Sequence, residues 1–236
     1  TYQIDPLDKN FRKFGMALLE KQRQLFGAHH YYACDPFHEN KPPIKGDKYL
    51  QNVGKAISEM YTAFDSQAVW VMQAWSLREP IVKAVDKDKL LILDIDGSKC
   101  EKTDGFWGYN FISGTLNNFG DRNTLHGSID ALAENKFMEE REKYPNIVGT
   151  GLFMEGIFQN PLYFDLASDM LTRSDKPELD SWLKDYARRR YGSDEACLFE
   201  AVKDMHETCY SKNCTGRETA SIVCARPAYE QRHTAP

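Results

Sequence analysis

The 236-residue chain contains no run of about 18 apolar residues, so no stretch of it reads as a membrane span. It has no basic excess: 30 Lys and Arg stand against 35 Asp and Glu, a formal net charge of -5. That balance argues against nucleic acid or an anionic membrane surface as the main partner. The one basic cluster, Arg188-Arg189-Arg190, is too short for a binding stripe and reads as a solvated helix end. Cysteine is sparse as well, and six in this length cannot make a disulfide scaffold. Six reduced thiols fit that count, and so does a single bridge between Cys209 and Cys214, which are close enough to close a short loop. Asn213-Cys214-Thr215 matches a glycosylation sequon, but a bridged Cys214 would make it a poor acceptor.

Several chemical signatures are missing too. No glycine-rich phosphate loop follows any strand-like run; Gly149-Thr150-Gly151 lacks the third glycine and the helix start that a dinucleotide loop needs. No Gly-x-Ser-x-Gly elbow occurs, and Cys34 falls inside a strand-like run rather than at a nucleophile turn. His38-Glu39 lacks the second histidine of a zincin helix, and the neighbours His29 and His30 would point to opposite faces of a strand. No metal or other cofactor is therefore expected. His126 and His206 fall on expected helices, as surface or packing residues. The first residues carry no charged-then-apolar leader, and the chain is expected to begin inside a domain.

What is present is enough apolar residue for a core, 42%, with an ordinary 28% charged. Periodicity predicts helices over 8–25 and 47–64, a short helix over 78–85, and a further helix over 124–136. Strand-like runs lie at 30–34, 68–75, 90–95, 109–116 and 147–153. Strands alternating with helices are the sequence form of parallel βα units. From 161 the pattern changes to helices alone, over 161–171, 177–191 and 194–210, and from 212 the chain is polar and irregular. Five strands are too few to close an eight-stranded barrel. The chain is then either an open doubly wound sheet or the C-terminal portion of a (β/α)8 TIM-type barrel followed by helices, and the missing phosphate loop weakens the first.

Two strand exits carry a glutamate, Glu39 in Phe37-His38-Glu39 and Glu155 in Phe153-Met154-Glu155-Gly156. In a parallel barrel all C-terminal strand ends face one side, so such residues can meet. Two carboxylates there suit glycoside hydrolysis, in which one protonates the leaving oxygen and the other attacks or activates water. The same residues also fit strand-to-loop turns whose acids simply face water. Trp75 closes the second strand, and Phe106, Trp107 and Tyr109 precede the fourth, an aromatic enrichment that suits the apolar C–H faces of sugars. Those rings also fit as rim packing, and Trp70, inside its strand, fits the core.

Six segments occur in order: Tyr32-Ala33-Cys34-Asp35-Pro36-Phe37-His38-Glu39, Ala68-Val69-Trp70-Val71-Met72-Gln73-Ala74-Trp75, Leu90-Leu91-Ile92-Leu93-Asp94, Leu116-Asn117-Asn118-Phe119-Gly120, Val148-Gly149-Thr150-Gly151 with Glu155-Gly156-Ile157, and Ala187-Arg188-Arg189-Arg190-Tyr191-Gly192. Through them the chain resembles glycoside hydrolase family 89, the α-N-acetylglucosaminidases, over most of its length. The resemblance implies a retaining exo-glycosidase that removes terminal α-linked N-acetylglucosamine from a glycan, with Glu39 as general acid/base and Glu155 as nucleophile. It also implies that His38 contacts the sugar, that Trp75 lines the pocket, and that Cys209 and Cys214 pair in members passing through oxidising compartments. A secreted, periplasmic or lysosomal setting follows. The implied organisation is a partial catalytic barrel over 1–171 and, over 172–236, a helical segment leading into an all-α domain. The family's N-terminal domain and first barrel strands are absent, so the strands at 30–34 and 147–153 are expected to form sheet edges. Ser113 stands where many members carry tryptophan, and Asp121 where a second glycine is usual. A second reading, a sugar-binding or structural fragment of the same fold without turnover, draws on those two departures.

Overall fold

The computed structural model describes residues 4–38, 40–118, 125–157 and 159–211. Its contacts divide it after Ser113 into two compact units. The second takes Gly114–Pro145 and then the chain from Thr150, while Asn146–Gly149 returns to the first.

In the first unit, α1 (Lys9–Phe26) starts at Asp8, whose carboxylate accepts the Asn10 N–H at 2.7 Å. It stops at Gly27, where a φ of 86° favours glycine. Next come β1 (Tyr31–Ala33), α2 (Asp47–Phe64), β2 (Val69–Gln73), a short α3 (Glu79–Val82) and β3 (Leu90–Asp94). β4 (Phe111–Thr115) and β5 (Ile147–Leu152) complete the strands, so all five expected strands are present. They form one sheet in sequence order, and the first four pair in parallel. A doubly wound sheet reverses its strand order at a switch point, and this sheet never does. Parallel strands laid down in sequence order, each beside the last, are the winding of a barrel. β1 and β5 stand at the two ends of that order, as expected for the sheet edges.

Both faces of the strands are apolar, which suits a parallel sheet. On one face Tyr32, Trp70 and Leu90 stand level, followed by Met72, Ile92 and Phe111, and all six are buried. α2 packs here through Tyr61, whose ring stacks on Tyr32 at 5.3 Å and lies 6.4 Å from Trp70. Val53 and Ile57 of the same helix are wholly buried. Gly54 lets α3 approach, because a Cβ there would sit 2.5 Å from the Ile81 carbonyl oxygen. The opposite face carries Val71, Leu91, Leu93 and Ile112, each half-buried.

The second unit corrects one expectation. Instead of a single helix over 124–136 there are two, α4 (Ile129–Ala133) and α5 (Lys136–Lys143), broken at Asn135. Asn135 is left-handed (φ 53°), caps α5 by accepting the Met138 N–H, and donates to the carbonyls of Arg173 and Asp175 at 3.2 and 2.9 Å. Short polar side chains compete with the helix for backbone groups, and here that competition wins. The later helices follow the sequence reading: α6 (Pro161–Met170), α7 (Leu179–Tyr191) and α8 (Ala196–Thr208). Proline opens α6, and Gly192 closes α7 at φ 70°. Ile129, Phe137, Leu162, Leu166, Met170, Leu183 and Val202 form its core. No helix among the described residues is long and apolar enough to cross a membrane.

Candidate active site

In the first unit, β1 leaves the sheet at Cys34-Asp35-Pro36, and three bonds fasten this exit to β2. The Cys34 N–H donates to the Val71 carbonyl (3.2 Å), the Trp70 indole to the Cys34 carbonyl (2.7 Å), and the Gln73 N–H to Asp35 Oδ1 (2.8 Å). Burial, followed by the Asp35 charge, pushes the Cys34 thiol up to about 11, too high for a nucleophile at neutral pH. Burial also raises the Asp35 carboxyl above its ordinary value, against the opposing pull of the Gln73 N–H and of His38.

The next two residues take left-handed backbone, Phe37 at φ 66° and His38 at φ 35°. Each such placement costs a non-glycine residue on the order of 1–2 kcal/mol. Phe37 offsets this by full burial, its ring 6.2 Å from Tyr49 of α2 and only 2% exposed. The turn leaves His38 exposed with its ring edge-on to Trp75, centroids 4.5 Å apart. Trp75 is 37% exposed, and its indole N–H donates to Gln73 Oε1 at 2.8 Å. His38 and Trp75 therefore form one accessible polar–aromatic surface at the ends of β1 and β2. Glu39 lies outside the described residues.

The raised Asp35 carboxyl has a pH consequence. The folded state binds this proton more tightly than the unfolded chain does, so stability falls as pH rises from the ordinary carboxylate value through the raised one. Asp35→Asn keeps an oxygen for the Gln73 N–H and removes that loss. Thermal melts should show a higher Tm for the variant at pH 7, with the gap closing below about pH 4. A gap that persists there would tie the effect to something other than the proton.

In the second unit, β4 runs out through Leu116-Asn117-Asn118 into a buried polar network. Asn117 donates from Nδ2 to the His126 carbonyl (3.1 Å) and accepts at Oδ1 from Asn160 Nδ2 (2.6 Å). Its carbonyl accepts from His126 Nε2 at 2.8 Å, which places a proton on that nitrogen. Tyr210 donates to Asn160 Oδ1 (3.4 Å), and Thr115 bonds the Tyr163 hydroxyl (2.8 Å). Gly127, at φ 109°, has no room for a side chain: a Cβ would lie 2.5 Å from Asn117 Nδ2. β5 ends beside this network. The Phe153 N–H donates to the Thr115 carbonyl (3.0 Å), and the Glu155 N–H to Asn118 Oδ1 (3.2 Å). Glu155 is exposed, between the exposed Met154 and Ile157.

Two sequence readings change here. Phe106, Trp107 and Tyr109 stand at the start of β4, where the Asn146 side chain holds the Gly105 and Tyr109 carbonyls, and not at a strand exit. Phe106 is wholly buried against Phe111, with ring centroids 5.0 Å apart, so these rings are packing at the N-terminal ends of strands. His126 precedes α4 rather than riding on it, and is buried with its Nε2 on the Asn117 carbonyl. Ser113 is wholly buried on the Phe111 side of β4, level with Asp94. His206 does lie on α8, with Nε2 3.1 Å from Asp130. Asp121 and Cys214 lie outside the described residues, and with Cys214 so does the bridge to Cys209. Asn118, Asn160 and Tyr210 carried no expected role; the one hint in the sequence was the Asn117-Asn118 pair directly after an apolar strand. A cleft of about 140 Å³ at the opposite end of β1, lined by Arg23, His30, Tyr32 and Asp65 among others, lies away from the strand exits.

The family model described as the alpha-N-acetylglucosaminidase (NAGLU) tim-barrel domain matches residues 1–174. The chain belongs to the alpha-N-acetylglucosaminidase family. Within that family it is 30% identical to the human alpha-N-acetylglucosaminidase over 250 residues, covering 98% of this chain and 33% of the human protein. A family 89 glycoside hydrolase from Clostridium perfringens, in complex with 2-acetamido-1,2-dideoxynojirmycin, superposes at a TM-score of 0.82 with 27% identity. That match covers 97% of this chain and 26% of that one. The same clostridial protein, carrying two glutamate-to-glutamine substitutions and bound to its substrate GlcNAc-alpha-1,4-galactose, also superposes at 0.82, with 26% identity over 97% of this chain and 26% of that one. The chain thus spans about a third of the length of the curated relative it matches. Family membership and strand order agree: the fold is part of an α/β tim-barrel followed by helices, and the open nucleotide-binding sheet is excluded.

Proposed function

We propose that the protein containing this chain is a retaining exo-glycosidase that hydrolyses terminal α-linked N-acetylglucosamine from glycans, with Glu155 as nucleophile and Glu39 as general acid/base. The observation that carries this reading is the exposed Glu155 at the exit of β5, with its backbone N–H held by Asn118. The clostridial relative adds support. Its substrate complex carries two glutamate-to-glutamine substitutions, separated by nearly the same interval of chain as Glu39 and Glu155.

Stereochemistry favours a protein nucleophile for this substrate. In an α-linked N-acetylglucosaminide the leaving oxygen and the 2-acetamido group lie on the same face of the ring. The acetamido group therefore cannot displace the leaving oxygen from behind, so a retaining route needs a protein carboxylate to do so. Glu155 attacks the anomeric carbon while Glu39 protonates the departing oxygen, giving a β-linked glycosyl ester. Glu39, now a carboxylate, takes a proton from water; the water opens the ester and the sugar leaves as the α-anomer. The two carboxyl groups need to lie about 5–5.5 Å apart. Trp75 offers a face for the sugar's C–H groups, and His38 beside it a polar contact.

Proton NMR of the full-length protein acting on an aryl α-N-acetylglucosaminide tests this. The α-anomer of N-acetylglucosamine should form first and mutarotate later. Initial β-anomer would overturn the retaining assignment. Binding of N-acetylglucosamine without turnover would favour a sugar-binding protein of the same fold.

A further inference from the structure

We infer that Asn118 is a positioning residue for Glu155, and that α8, through Tyr210 just past its end, belongs to the scaffold that holds it in place. This rests on the nucleophile role proposed for Glu155. Asn118 is wholly buried, and its Oδ1 accepts the Glu155 N–H at 3.2 Å, fixing the backbone of that residue rather than its carboxylate. Glu155 lies three residues past the end of β5, so what holds its peptide unit bears on where its side chain is aimed.

Asn118 is in turn held from behind. Its neighbour Asn117 is clamped by the His126 carbonyl, the His126 ring and Asn160, and Asn160 accepts from Tyr210. The Tyr210 carbonyl accepts the Ile129 N–H at 3.0 Å, tying the end of α8 to the start of α4. Asn117, Asn118, His126, Asn160 and Tyr210 are each at most 3% exposed. A network this well buried tolerates few alternative arrangements, because each broken bond would leave a polar group in a dry interior. Its rigidity passes to Glu155 through the Asn118 amide oxygen. A misplacement of about 1 Å in a nucleophile is worth on the order of 100-fold in rate.

The test uses full-length protein and 4-nitrophenyl α-N-acetylglucosaminide. Asn118→Leu, which matches the shape and lacks the accepting oxygen, should lower kcat on the order of 10- to 100-fold. KM and inhibition by N-acetylglucosamine should stay within about twofold, since ground-state binding is not what Asn118 secures. An unchanged kcat, or a loss carried by KM, would overturn the inference. Asn118→Asp keeps the oxygen and sets a second carboxylate beside Glu155, so it decides the matter if the leucine variant does not fold. Because the accepting oxygen is kept, it should hold kcat within about threefold of wild type. An aspartate variant that folds and yet loses kcat as the leucine variant is expected to would overturn the inference. Glu155→Ala, measured in parallel, separates the two proposals. If it keeps its turnover, the nucleophile reading fails; if it is inactive while Asn118→Leu behaves as wild type, only the positioning role fails.

Discussion

Full-length protein carrying Glu155→Ala should lose hydrolysis of an aryl α-N-acetylglucosaminide by at least about 1,000-fold. The glycosyl ester cannot form without the carboxylate, and an aryl leaving group does not help, because the missing partner is the attacker. Substrate binding should be nearly unchanged, since removing a group that acts mainly in the transition state lowers kcat more than it raises KM. Added azide supplies the check. It fits the space left by the side chain and attacks the same face, so the product should be the β-glycosyl azide, of inverted configuration. Wild-type turnover in Glu155→Ala would end the nucleophile assignment, and an α-azide product would assign the residue to the other half of the pair.

Glu39→Gln should behave differently. General acid catalysis contributes about 100- to 10,000-fold, so a loss of that size is expected on a disaccharide, whose alcohol leaving group needs a proton. A dinitrophenyl glycoside departs without one, so its first step should proceed near the wild-type rate and the ester should accumulate as a burst. Azide should then give the α-glycosyl azide, because two displacements retain configuration. Equal losses on both substrates would remove Glu39 from the acid/base role. The two residues before it support this assignment: Phe37 and His38 hold costly left-handed backbone immediately upstream, the kind of local strain that persists where the surrounding structure enforces it.

Much of the chain's organisation was legible because it is written in local periodicity. Val69-Trp70-Val71-Met72 and Leu90-Leu91-Ile92-Leu93 are apolar on both faces, as buried parallel strands must be, and both are strands. The helices after residue 161 were legible for the same reason, helped by Pro161 at one start and Gly192 at one end. Where local signals competed with distant partners, the reading failed. Apolar spacing over 124–136 looks like one helix, but the Asn135 amide reaches the carbonyls of Arg173 and Asp175, some 40 residues on, and breaks it. The chain between β3 and β4 was opaque for another reason. Asp104, Gly105, Phe106, Trp107 and Gly108 all have positive φ, and three of those five are residues that rarely take it.

Glu39 and Glu155 could each be recognised from the sequence as acids at the ends of apolar runs, because a strand and its abrupt stop are properties of adjacent residues. The alternation of strands and helices, and the helical stretch that follows, came from the same short-range chemistry. The choice between a doubly wound and a barrel-type sheet did not, since strand order depends on which hydrogen-bonding edges meet across 16 to 35 residues of intervening chain. Nor did the mounting of Glu155. Asn117, Asn118, His126, Asn160 and Tyr210 are ordinary polar residues scattered over more than 90 positions, with no spacing rule to mark them. Only burial in one place turns them into a network, because only there does each need the others to satisfy its hydrogen bonds.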